Sequence, residues 1–117
     1  METWVSLLFM LNITFFTIHE LDAIYQHEWR VFFGFTGVSD EAAYQLSTAL
    51  HVPLFMFVLW NLQSYPFQIG LDIFLILHAA IHWVLRNHPL VTFNNWFSRI
   101  WIFGGALLGT VHLFLLL

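Results

Sequence analysis

Four long stretches of mostly apolar residues, parted by short polar turns, make up nearly all of this chain. Each reaches the roughly 20 residues that a helix needs to cross a bilayer. The first runs from about Glu2 to Trp29, with its apolar part at Trp4–Ile18. The second runs from about Asp40 to Ser64, the third from about Phe67 to Arg86, and the fourth from about Asn94 to Leu117. Of 117 residues, 60% are hydrophobic and 9% charged. A soluble domain of this size keeps much of its surface wet and could not bury so much apolar area. Lipid as solvent removes the conflict. The expectation is one transmembrane domain over residues 1–117, an all-α four-helix bundle. The start, METWVSLLFML, lacks the basic region and small-residue cleavage site of a secretory signal, so it reads as a retained first helix.

The turns fall at the loop with Gly34 and Gly37, at Pro66, and at Asn87-His88-Pro89. Ser39 followed by Asp40 and Glu41 makes a sound helix start, a cap and then acids at the positive end of the dipole. Four crossings put both termini on one side. The turns on the other side carry Arg30, Arg86 and Arg99, all the basic residues in the chain. The positive-inside rule makes that side the cytoplasm. Trp4 and Trp60 fall near the outer interface; Trp29, Trp83, Trp96 and Trp101 fall near the inner one. With three basic residues and a net charge of −4, nucleic acid is excluded as a partner. The absence of cysteine excludes disulfides and thiolate ligands.

The spans are not uniformly apolar, and an ionisable side chain in hydrocarbon is costly enough to suggest a function. His19, Glu20 and Asp22 lie at the cytoplasmic end of the first span, and His78 and His82 in the cytoplasmic half of the third. His51 lies about ten residues into the second span, ~15 Å deep at the helical rise. Three spans thus place histidines and acids in one layer. His78 and His82 are four apart and share a face, the spacing by which one helix chelates a metal. Tyr44, Ser47, Thr48 and His51 form a polar stripe on the second span; Asn12 extends that of His19.

Neutral imidazoles with a carboxylate suit zinc or non-haem iron. His51, His78 and His82 are the expected nitrogen ligands, with His19 or Asp22 as a fourth ligand or as the partner that orients an imidazole. A metal-bound water could attack an ester or amide while a carboxylate, Asp22 or Glu20, takes its proton. Glu28 with Arg30 reads as a surface pair, and His27 and His88 as solvated. Asp72 and His112 lie toward the outer side and could pair inside the bundle or serve a proton path. Gly105-x-x-x-Gly109 permits close helix approach, within the bundle or between copies in a homo-oligomer.

Two resemblances arise at these residues. His19-Glu20-Leu21-Asp22-Ala23, followed by His27-Glu28-Trp29-Arg30, looks like a bacterial family of small membrane proteins. It is also loosely similar to the HXXEE membrane family, although Leu21 and Asp22 stand where that motif has a Glu pair. This implies four helices, a bacterial inner membrane, and no particular activity. Ser47-Thr48-Ala49-Leu50-His51 with His78 and His82 is similar to the zinc site of the alkaline ceramidase and progestin-receptor superfamily. Asp22 would play that site's Asp, though it precedes the Ser motif here. This likeness implies zinc, a role for Ser47, and hydrolysis of a lipid-like amide or ester, by convergence of a site.

Other readings stay open at this stage. Glu20 and Asp22 could bridge a di-iron pair, as in bundle di-iron enzymes. His51 with His78 or His82 could be axial ligands of a haem. The polar layer could also be a hydrogen-bond network or proton relay in a non-enzymatic membrane subunit. In every case the partners are membrane lipids.

Overall fold

The computed structural model describes residues 2–91 and 95–117. Among them the fold is all-helical, with α1 at Thr3–Tyr25, α2 at Trp29–Phe33, α3 at Asp40–Asn61, α4 at Tyr65–Val84 and α5 at Trp96–Leu116. By length and composition, α1, α3, α4 and α5 can each cross a membrane. The expected start of the last helix near Asn94 lies outside the described residues.

The helix starts follow from local chemistry. Ser39 Oγ accepts from the Ala42 N–H, with Asp40 and Glu41 in the first turn of α3. Ser64 caps α4 by accepting from the Phe67 N–H, and Asn95 caps α5 by accepting from the Ser98 N–H at 2.8 Å. Each satisfies an N–H that the helix cannot pair internally.

The end of α1 departs from the sequence expectation. The helix stops at Tyr25 rather than near Trp29. His27 takes φ of 60°, its N–H bonds Ile24 O at 3.3 Å, and the Glu28 N–H bonds Ala23 O at 3.0 Å. That pair of bonds is the Schellman closure, whose left-handed residue is usually glycine. A histidine there hid the stop. The closure turns the chain back so that α2 begins beside the bundle.

The core is a seam shared by three helices. On α1 the buried residues include Val5, Phe9, Asn12, Phe16, His19 and Ala23; on α5 they are Ser98, Ile102, Gly105, Gly109 and His112. Gln68, Asp72, Leu75 and Ala79 continue the pattern on α4. Alternating steps of four and three give the 3.5-residue repeat that keeps one helix edge against its neighbours. Gly105 and Gly109 serve this close approach inside the bundle. A Cβ at Gly109 would lie 3.4 Å from both the Asp72 backbone oxygen and Asn12 Nδ2.

By contrast α3 buries only Ala43 and Val58, and Pro53 removes one rung of its own ladder. It joins the rest through Trp29 against Tyr44, ring centroids 5.4 Å apart, through Arg30 of α2 with Asp40, through Val58 in the core, and through His51 with Glu20 of α1.

Candidate metal centre

At the end of the bundle that carries the three arginines, four donors converge. His19 comes from α1, Glu28 from the turn after it, and His78 and His82 from successive turns of α4. One ligand atom from each lies within 4.8 Å of the others. His78 Nε2 and His82 Nε2 are 3.0 Å apart. Glu28 Oε1 is 3.4 Å from His82 Nε2 and 3.9 Å from His78 Nε2. The His19 ring packs edge-on against both, at centroid distances of 4.7 and 5.5 Å. A tetrahedral zinc with bonds of about 2.0–2.1 Å holds its ligand atoms roughly 3.3 Å apart. The spacings here bracket that value, so this His/Glu group could hold a metal ion.

His19 is buried, and the other three side chains are nearly so, at 11–17% exposure. Burial alone would raise the Glu28 carboxyl. The neighbouring His78, His82 and His19 rings outweigh it and hold the group well below the usual carboxylate range. Glu28 is therefore an anion facing imidazoles, the state a metal ligand needs.

The surface pair expected between Glu28 and Arg30 is not formed. Arg30 Nη2 instead meets Asp40 Oδ2 at 3.1 Å. The reason is geometric. Had α1 continued, nine residues at about 100° each would have set Glu28 opposite His19. The Schellman turn brings it to the same side.

The remaining sequence candidates lie apart from this group. His51 sits between α3 and α1, its Nε2 2.6 Å from Glu20 Oε2 and its Nδ1 2.7 Å from the Ser47 carbonyl oxygen. A carbonyl only accepts, so the Nδ1 bond to Ser47 is donated by the ring. Ser47 contributes its backbone to this pair and is half-buried. Asp22 is buried in α1 with Oδ2 lacking a hydrogen-bond partner among the described residues. Of the residues named as metal ligands, then, His19, His78 and His82 come together, while His51 and Asp22 stand outside the group.

A second polar cluster lies farther along the seam. His112 Nδ1 meets Asp72 Oδ2 at 2.7 Å, and Asn12 Nδ2 donates to Asp72 Oδ1 at 3.1 Å. All three side chains are inaccessible, and Phe9 stacks on His112 at 5.0 Å. The pairing of Asp72 with His112 is the structural alternative drawn from the sequence.

The chain belongs to a family of unknown function, DUF6713. The match spans residues 5–117, hence nearly all of the four long helices and every residue of the His/Glu group. No curated protein and no solved structure matches the chain. The likenesses to the HXXEE family and to the ceramidase superfamily rest on their short motifs alone.

Proposed function

We propose that this chain is an integral membrane metalloprotein, with both termini outside and its arginines in the cytoplasm. His19, His78 and His82 hold one divalent ion, zinc in the first instance. The observation that carries this reading is the convergence of the three imidazoles and Glu28 from three separate segments. Three imidazoles suffice for zinc and leave a position for water. Glu28, 3.4 Å from His82 Nε2, then stands where a base could take that water's proton. The chemistry this favours is hydrolysis of an ester or amide in a lipid-like molecule, reached from the surrounding bilayer.

Elemental analysis of the purified protein tests the reading. One zinc per chain is expected, lost in His78→Ala and in His82→Ala and kept in His51→Ala. Iron with an absorption band would redirect the proposal to oxidative chemistry. No stoichiometric metal, or metal indifferent to these changes, would overturn it. Glu28→Gln separates the two roles of the carboxylate. Retained zinc with lost cleavage of a long-chain ester marks a base; lost zinc marks a fourth ligand and a closed, non-hydrolytic site.

The buried Asn12–Asp72–His112 cluster favours a second reading, a proton-conducting membrane subunit. Proton flux in liposomes that disappears in Asp72→Asn would support it, and absence of flux in the wild type would sink it.

A further inference from the structure

The end of the bundle opposite the His/Glu group holds a cavity of about 580 Å³, between α1 and the turn that joins α3 to α4. Phe9, Met10 and Ile13 of α1, with Leu62 at the end of α3, give it an apolar wall. Ser6, Gln63 and Gln68 give it polar groups, and all three lie close to the ends of their helices. Along α1 the wall runs from Ser6 to Thr14, about 12 Å at the helical rise. The lining thus grades from polar at the end of the bundle to apolar one or two turns deeper. Thr14, at the deep end, spends its hydroxyl proton on its own helix, at 2.9 Å from the Met10 carbonyl oxygen.

Gln68 decides what such a cavity takes. Its side chain is buried, at 4% exposure, and its Nε2 donates to the Leu62 carbonyl at 2.9 Å. A carbonyl only accepts, so this bond fixes which way round the amide lies. The other amide atom, Oε1, is buried and has no donor among the described residues. A buried acceptor without a donor is costly, and lipid tails supply none. The partner it lacks is an O–H or an N–H. No charged side chain of either sign lines the cavity, and the three arginines lie at the other end of the bundle. A charged head would be left unpaired there, so the head must be neutral. Size narrows the choice further. The volume falls within the roughly 300–1,000 Å³ of small-molecule sites. It holds about twenty groups of the ~30 Å³ that a water takes in the liquid, enough for one chain and a small head but not for two chains.

We propose that this cavity binds a neutral single-chain lipid of the monoacylglycerol class, with a head hydroxyl donating to Gln68 Oε1 and the chain lying along Phe9, Met10 and Ile13. Phe9 is ten residues from His19 on α1, about 15 Å along the helix. The site therefore goes beyond the metalloprotein reading and does not depend on it.

The test is equilibrium binding of radiolabelled monooleoylglycerol to the full-length protein in phosphatidylcholine nanodiscs, with empty nanodiscs subtracted. Methyl oleate, which keeps the chain but has no donor, and oleoyl lysophosphatidate, which adds charge to the head, are the comparison probes. The wild type should bind one monooleoylglycerol per chain saturably. Methyl oleate should bind roughly tenfold more weakly, the factor of one hydrogen bond, and lysophosphatidate more weakly still. Gln68→Leu should erase the preference by weakening monooleoylglycerol alone. Met10→Trp should fill the cavity and weaken both neutral probes at least tenfold. Met56→Trp is the control, a methionine as exposed as Met10 but on α3 and outside the lining. Circular dichroism screens each variant for folding. Met10→Trp carries the test if Gln68→Leu unfolds on losing its bond to Leu62, because Met10 is an exposed side chain. Binding no greater than that of empty nanodiscs, equal affinity for monooleoylglycerol and either comparison probe in the wild type, or equal binding by Met10→Trp and Met56→Trp would overturn the proposal. Binding should be unchanged in His78→Ala whatever becomes of the zinc; binding that tracks the zinc would move the lipid to the metal centre and overturn this site.

Discussion

The bundle buries histidine in two places, and the two differ in what surrounds the ring. At His112 the seam closes completely. Asp72 takes Nδ1, Asn12 takes the other carboxylate oxygen, Phe9 covers the face, and Gly109 lets α5 approach the α4 backbone. At the arginine end, His78, His82 and Glu28 lie within 3.0–3.9 Å of one another and keep some exposure, with buried His19 edge-on against both imidazoles. The first arrangement uses its polar atoms mainly on itself. The second crowds like donors together, which a hydrogen-bond network does not require and a shared ion does. Burial alone therefore does not separate the two clusters; the convergence of donor atoms does.

This contrast can be broken by removing each side in turn. The largest effect is expected at the closed cluster. Asp72→Ala strips both polar partners of their acceptor in a fully buried place, and should cost about 3 kcal/mol of stability in detergent unfolding. Its zinc content should not change. Loss of zinc in Asp72→Ala would join the two clusters into one network.

Metal removal gives the next effect. With free zinc about a hundredfold above its dissociation constant, a chelator should cost the wild type about 2.7 kcal/mol by linkage. In His82→Ala the chelator should cost nothing. In Asp72→Ala it should cost as much as in the wild type, because well-separated sites add. A chelator-independent wild type would make the arginine-end cluster structural, like its counterpart.

The smallest effect sharpens the comparison at the turn that makes it possible. His27 holds φ of 60° without being glycine. His27→Gly should relieve about 1 kcal/mol of left-handed strain and leave zinc in place, as read by unfolding and elemental analysis. Zinc lost in this variant would mean that His27, rather than the backbone turn, supports Glu28.

Much of this was open to reading from the residues in order. Helix length and apolarity depend on neighbouring residues, so the four long helices and the starts at Ser39 and Asp40 were visible without a fold. So was the level of His19, His51, His78 and His82 along their helices, since rise per residue is nearly constant. The shared face of His78 and His82 follows from their spacing of four on one helix. Direction across helices is another matter. His51 has the right depth but faces Glu20, which lies about 100° round α1 from His19. Glu28 reads in sequence as a surface partner of Arg30, and only the turn at His27 brings it to His19. Sequence by itself determined where the four long helices run, which residues are costly in hydrocarbon, and at what level along a helix they lie, because those are properties of a local period. Only the tertiary structure decided which of them meet. That choice hangs on the left-handed turn at His27 and on how α1, α4 and α5 mesh, and neither is written in the spacing of any single helix.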